Sequence, residues 1–141
     1  MTRGIRLCNP GNIRISPQHW LGKLDPSTDP EFEDFHNMIY GIRAMALLIL
    51  NYYRISGLDT IRKVVEKYAP PSENPTNAYI DNVSDRTGFD PDAVLDLEEK
   101  DDLLAVVKGM CDQEQGAAIA QVSDEQFSAG VDMALASIKA A

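Results

Sequence analysis

The segment from Met38 to Tyr53 constrains the fold more than any other. Met38, Ile42, Met45, Ile49 and Tyr52 recur at helical spacing, so they share one face of a helix. Leu47, Leu48 and Leu50 spread the apolar surface beyond that face. A helix apolar over more than one face has to be enclosed by other elements. The remaining chain has to supply that cover. Gly57 breaks the helix, and Asp59 or Thr60 can cap a second one that runs to about Tyr68 with Ile61, Val64, Val65 and Tyr68 inward. Pro70 and Pro71 stop it. Thr76 can cap a third helix carrying Tyr79, Ile80 and Val83 and ending at Gly88. Asp90-Pro91 reads as a cap with a first-turn proline before a short helical turn. A helix from about Asp101 to Gln115 follows, with Gly116 as its C-cap. Ser123 and Gln126 form a capping box for a last helix through Phe127, Val131, Leu135 and Ile138.

Residues 1–36 read differently. Asn9-Pro10-Gly11-Asn12 is dense turn chemistry. Ile13 to Ile15 and Phe32 to Phe35 can form two short strands around a proline-bearing loop. The expected fold is mainly α: one domain spanning residues 1–141 with a small N-terminal β-hairpin lobe. A chain of 141 residues can bury a real core, roughly two-thirds of its unfolded surface.

A net charge of −9 excludes the usual electrostatics of nucleic-acid binding, which needs clustered Lys and Arg. It gives no attraction to an anionic membrane, and Ala44 to Leu50, the longest apolar run, is too short to span a bilayer. The N-terminal residues show no apolar signal region, so synthesis in the cytoplasm is expected. Cys8 and Cys111 allow one disulfide or two thiols, and no Cys/His spacing resembles a metal site. No cofactor is implied.

Glu114 is the most informative residue. Leu103, Val107, Met110 and Cys111 form an apolar stripe, and the spacing carries that stripe on to Glu114. A carboxyl on a buried face is held protonated to higher pH. The negative end of the helix dipole acts in the same direction. A glycosidase acid needs this property. The alternative is a frayed helix end with Glu114 in water.

The stretch Arg3-Gly4-Ile5-Arg6-Leu7-Cys8-Asn9-Pro10-Gly11-Asn12-Ile13-Arg14 resembles the opening of a family of phage- and prophage-encoded proteins, which typically reads Arg-Gly-Ile-Arg-Asn-Asn-Asn-Pro-Gly-Asn-Ile-Arg. Later blocks of that family are Trp20-Leu21-Gly22, Phe32 and Phe35, Gly41-Ile42-Arg43-Ala44, Tyr68 to Asn74, and Tyr79-Ile80. Such proteins are described as virion-associated or as cell-wall hydrolases. A second resemblance is to bacterial cell-wall glucosaminidases of the lysozyme superfamily. There an Asn-rich run, a lobe with Trp-x-Gly and later tyrosines occur in the same order. In those enzymes the helix bearing the catalytic Glu precedes the Asn-rich run. Here Ala105 to Gly116 looks like that helix, placed after the rest, with Gln115 where the serine stands. The resemblance implies a circularly permuted lysozyme-like α+β fold in which Glu114 is the general acid.

A lysozyme-like cleft can use a second carboxylate. Asp25, Asp29 and Glu31 on the lobe loop are the candidates, each otherwise a solvated charge. Glu73, in the proline-rich turn, is catalytic or turn-stabilising. Asn12, Tyr68 and Tyr79 are expected to line a sugar groove. Trp20 either stacks on a sugar or anchors the lobe, and His19 and His36 read as surface residues. The expected function is cleavage of the peptidoglycan glycan strand, as a muramidase, glucosaminidase or lytic transglycosylase, by a protein that is virion-associated or delivered to the periplasm. The alternative is a non-catalytic phage protein that binds phage or host proteins on the same scaffold.

Overall fold

In the computed structural model, which describes residues 1–72 and 74–139, the chain is mainly helical. The helices are α1 (Arg3–Arg6), α2 (Met38–Ser56), α3 (Ile61–Tyr68), α4 (Thr76–Thr87), α5 (Lys100–Gln115) and α6 (Asp124–Lys139), with a 3₁₀ segment Gly116–Gln121 after α5. Local signals set many of the ends. Asn37 caps α2 by accepting from Tyr40 N at 3.2 Å, and Gly57 closes it in the left-handed region at φ 68°. Thr60 caps α3 by accepting from Lys63 N at 3.1 Å. Ser123 and Gln126 make the reciprocal capping box of α6, at 2.9 Å and 3.1 Å.

α2 is the central element. Ala44, Met45, Ala46, Ile49 and Leu50 are fully buried, and α6 and α5 pack against it. α5 also packs on α4 and α6. It therefore sits between the central helix and the outer ones, with its C-terminal turn facing the N-terminal segment.

Several ends differ from the sequence expectation. α1 was not expected: it is one turn, opened by Thr2, whose hydroxyl accepts from Ile5 N at 3.4 Å. Thr76 does not cap α4. It is the first helical residue, after Pro75, and its hydroxyl donates to Ala69 O at 2.6 Å. Asp90-Pro91 starts a turn rather than a helix, because Asp90 Oδ1 takes Asp92 N at 2.9 Å in an Asx turn. No β-hairpin lobe forms among the described residues. The two expected strand segments meet in antiparallel sense at one isolated bridge, Arg14 to Phe32, and Lys23 to Phe35 makes another. The backbone bonds Ile15 N to Glu31 O (3.0 Å) and Glu33 N to Ile13 O (2.9 Å) are not extended. The flanking chain turns at once through its prolines, which cannot donate to a ladder.

Asn9 ties this irregular region together. It is fully buried, and its amide donates to Ile13 O (2.9 Å) and Glu33 O (3.0 Å) while its oxygen accepts from Ile13 N (3.0 Å). The preceding Cys8 lies at φ 54°, and its carbonyl rests on Gly41 of α2, where a Cβ would collide with it. Gly41→Ala is expected to cost at least about 1–3 kcal/mol, because the obstruction is backbone that cannot swing aside. A urea midpoint shifted down at unchanged slope is the check.

Candidate functional site

The apolar stripe of α5 ends in a charged group. Leu103, Val107, Met110 and Cys111 are fully buried, and Glu114, one turn on, is half-buried. Glu114 Oε1 accepts from Asn12 Nδ2 at 2.9 Å, and Oε2 accepts from the Tyr79 hydroxyl at 2.9 Å. Burial raises the Glu114 pKa above the ordinary carboxyl value. The donors Asn12 and Tyr79 and the positive charge of Arg14 oppose that rise without cancelling it.

The N-terminal turn presents Asn12. Asn9 holds the turn from inside, and Asn12 itself adopts φ 53°, a conformation Asn tolerates better than most residues. Gly11 lies against the Met45 side chain of α2, which a Cβ there would have to displace. The Tyr68 hydroxyl, at the end of α3, donates to the Gly11 carbonyl. Gln115, 5% exposed, donates Nε2 to Pro10 O (2.9 Å) and to Asn12 Oδ1 (3.0 Å). The turn is thus held from α2, α3 and α5 together.

Glu114 opens on a cleft of about 310 Å³ whose wall includes Asn12, Arg14, Trp20, Tyr68 and Asn74. Four of the residues singled out in the sequence meet there: Asn12, Trp20, Tyr68 and Glu114. Tyr79 takes a different place from the one expected. It is 4% exposed, does not line the cleft, and reaches Glu114 from behind, because its position on α4 points into the packing with α5. Trp20 is both wall and anchor: it is 6% exposed, and its indole N–H has no acceptor among the described residues. Arg14 stands at the rim with its guanidinium 5.5 Å from the Phe32 ring centroid. Gln115 and Arg14 were not read as site residues. The Asn-Ile-Arg motif carried a signal for Arg14. For Gln115, periodicity carried none, since its partners are near the other end of the chain.

No family model matches the chain. Over 118 residues it is 35% identical to Protein P5 of Pseudoalteromonas phage PM2, a match that covers 82% of this chain and 72% of that protein. The chain belongs to the P5 family. The aligned length is large enough that the P5 relation concerns the domain and not an isolated motif.

In this P5-family chain the carboxylates of residues 25–31 do not join Glu114. Asp25 is exposed on a separate depression beside His19 and Lys23. Asp29 is 8% exposed, and its Oδ2 accepts from Glu31 N and Phe32 N at 2.9 Å each. The Glu31 amide, with that of Phe32 and the guanidiniums of Arg3 and Arg6, holds its carboxyl below the usual range. Glu31 is exposed between Arg3 and Arg14, 3.6 Å from each. Asp29 and Glu31 are engaged within this segment, and Asp25 lies away from the cleft. Among the described residues Glu114 is the single carboxylate on the cleft wall; Glu73 lies outside the described residues. His19 and His36 are exposed, and Cys8 and Cys111 are separate thiols. Among the described residues no cluster of His, Cys, Asp and Glu is arranged to hold a metal ion, and no helix is long and apolar enough to cross a membrane.

Proposed function

We propose that this P5-family protein cleaves the β-1,4 glycan link of peptidoglycan, with Glu114 protonating the glycosidic oxygen. One observation carries the reading: a half-buried carboxyl with a raised pKa faces a cleft lined by Asn12, Trp20 and Tyr68. General acid catalysis requires a group still protonated near the working pH and open to the leaving oxygen. The fold is read as a circularly permuted lysozyme-like domain in which the acid-bearing helix follows the Asn-rich run. Support comes from the bond between Asn12 and Glu114, which spans 102 residues of sequence and rejoins the two parts. Permutation is tolerated where termini and loops are at the surface.

With Asp25, Asp29 and Glu31 away from the cleft, a two-carboxylate mechanism lacks a partner among the described residues of the cleft wall. The reaction that needs one acid is lytic transglycosylation, in which the substrate's own acetamido group assists. Tyr68, Trp20 and Asn12 line the sugar path, and Tyr79 holds the acid. The phage relative fits a virion-associated protein, or one delivered to the periplasm, that opens the wall. The charge of −9 favours a second reading, a non-catalytic phage protein that binds other proteins, because bacterial walls are themselves often anionic.

Turbidity clearing and zymography on purified peptidoglycan separate the two readings. Absence of clearing favours the protein-binding role. Mass spectrometry of the released fragments then distinguishes anhydro ends, one water lighter, from hydrolysed ends. The pH profile is a further prediction. The raised Glu114 pKa means the proton is retained to higher pH, so kcat/KM falls as pH rises through a value above the ordinary Glu figure of about 4.3. Among the described residues no second carboxylate on the cleft wall produces an acid limb. A rate that climbs steadily between about pH 5 and 8 removes Glu114 as the acid.

A further inference from the structure

We propose that Gln115 is a positioning residue which, through Asn12, places the acid proton of Glu114 on Oε2 rather than Oε1 while the cleft holds no substrate. Its catalytic meaning rests on the Glu114 reading above; the hydrogen-bond chain itself does not.

The polarity of the chain starts from a backbone group. The Pro10 carbonyl can only accept, so the Gln115 side-chain nitrogen, 2.9 Å away, is the amide NH₂. The Thr2 hydroxyl donates to Gln115 Oε1, which agrees with that orientation. The second N–H of Gln115 reaches Asn12 Oδ1 at 3.0 Å. With Oδ1 engaged, Asn12 has only its NH₂ to offer Glu114 Oε1, at 2.9 Å. An amide NH₂ donates and cannot accept. A proton on Oε1 would therefore find no acceptor in Asn12.

On the other oxygen the neighbour is a hydroxyl, which does both. With Glu114 ionised, Tyr79 donates to Oε2 at 2.9 Å. With Glu114 protonated and no substrate in the cleft, the direction reverses: Oε2–H donates to the Tyr79 oxygen, and the phenol turns its own proton to the Met110 carbonyl, 3.5 Å away. Flipping an amide is nearly isosteric, so hydrogen bonds and not packing keep Asn12 in this orientation. Gly4 of α1 closes over both amides, where a Cβ would strike Asn12 and Gln115.

The titratable or charged groups around Glu114 among the described residues are Arg14 from the N-terminal segment, Tyr52 from α2, which burial keeps neutral, Tyr68 from α3, Tyr79 from α4 and Cys111 from α5. Burial pushes Tyr68, Tyr79 and Cys111 up, so they stay neutral where Glu114 titrates. Asp112 is engaged with Arg86 at 3.3 Å. Among the described residues Glu114 thus titrates beside one fixed positive charge.

The test is a ¹³C-carboxyl NMR titration of wild type and Gln115→Leu, with Glu114→Gln identifying the resonance. Without Gln115 the Asn12 amide is free to flip and accept from Oε1, so the protonated form gains a partner. The expected result is a midpoint raised by about one pH unit. An unchanged or lowered midpoint in a folded Gln115→Leu protein overturns the proposal. Wild type supplies a second reading that does not depend on the variant folding. The Asn12 side-chain ¹⁵N and Tyr79 Cζ signals are expected to move with the Glu114 midpoint, and failure of either to follow it overturns the proposal. A protein that clears no peptidoglycan yet shows these shifts upholds the hydrogen-bond chain and defeats the cleavage reading instead.

Discussion

Glu114→Gln is expected to slow release of soluble glycan from purified peptidoglycan by about 10²–10⁴-fold, the usual worth of a positioned general acid. The replacement has the same shape. Its amide oxygen can accept from Asn12, and its NH₂ can donate to the Tyr79 oxygen, which then turns to Met110 O, 3.5 Å away. What is lost is the transferable proton. The variant also carries a stability signature. Burial raises the pKa of Glu114 in the folded protein, so the folded state binds its proton more tightly than the unfolded chain does. The associated stabilisation is complete below the ordinary Glu pKa and is lost as pH rises through the raised value. The neutral Gln escapes that loss. Its Tm is expected to exceed wild type near pH 7 and to match it below about pH 4. Equal clearing rates for the two proteins would remove Glu114 from the mechanism, whatever the melting curves show.

Lys23→Met is expected to be the most destabilising single change, at about 3–5 kcal/mol. Lys23 Nζ lies 3.1 Å from Glu33 Oε2, with the two side chains 10% and 1% exposed. Nζ also donates to the carbonyls of Ser16 (3.2 Å) and Gln18 (2.8 Å). Removing the ammonium leaves Glu33 buried with one long bond, from Ser16 N at 3.4 Å. The double variant Lys23→Met/Glu33→Met is expected to recover much of the loss, since it leaves no unpaired buried charge. Urea unfolding of both single variants and the double gives the coupling. A single-variant loss below about 1 kcal/mol would show that the pair behaves as a solvated one. Because Trp20 lies in the loop this pair closes, the same variant is expected to loosen the cleft wall.

The fold was legible where a residue's state depends on its near neighbours. The stripe of α2 announced a central helix because no other arrangement hides so wide an apolar surface. The Thr60 cap and the Ser123–Gln126 box were legible because both partners lie within one helical turn. Thr76 misled for the complementary reason: its hydroxyl goes to Ala69 O, a bond that the folded turn offers and the local pattern does not advertise. The β-hairpin expectation failed because two apolar triplets satisfy the strand pattern, whereas a ladder needs donors that the prolines around them lack. Asp29 looked like a free carboxylate and is bound into its own loop. Tyr79 looked like a groove residue and is packed behind the acid.

Glu114 divides the same way. Its place on the buried face of α5 follows from the 3.6-residue period alone, and so does the upward direction of its pKa, since both depend on the helix that carries it. The neighbours of its two oxygens do not follow from the period. Asn12 and Gln115 are 103 positions apart, and which end of the Asn12 amide meets the acid depends on a carbonyl at Pro10, 105 positions from Gln115. A hydrogen bond has a direction as well as a place. Only the tertiary structure, by bringing an obligate acceptor to the end of the chain of amides, decides it.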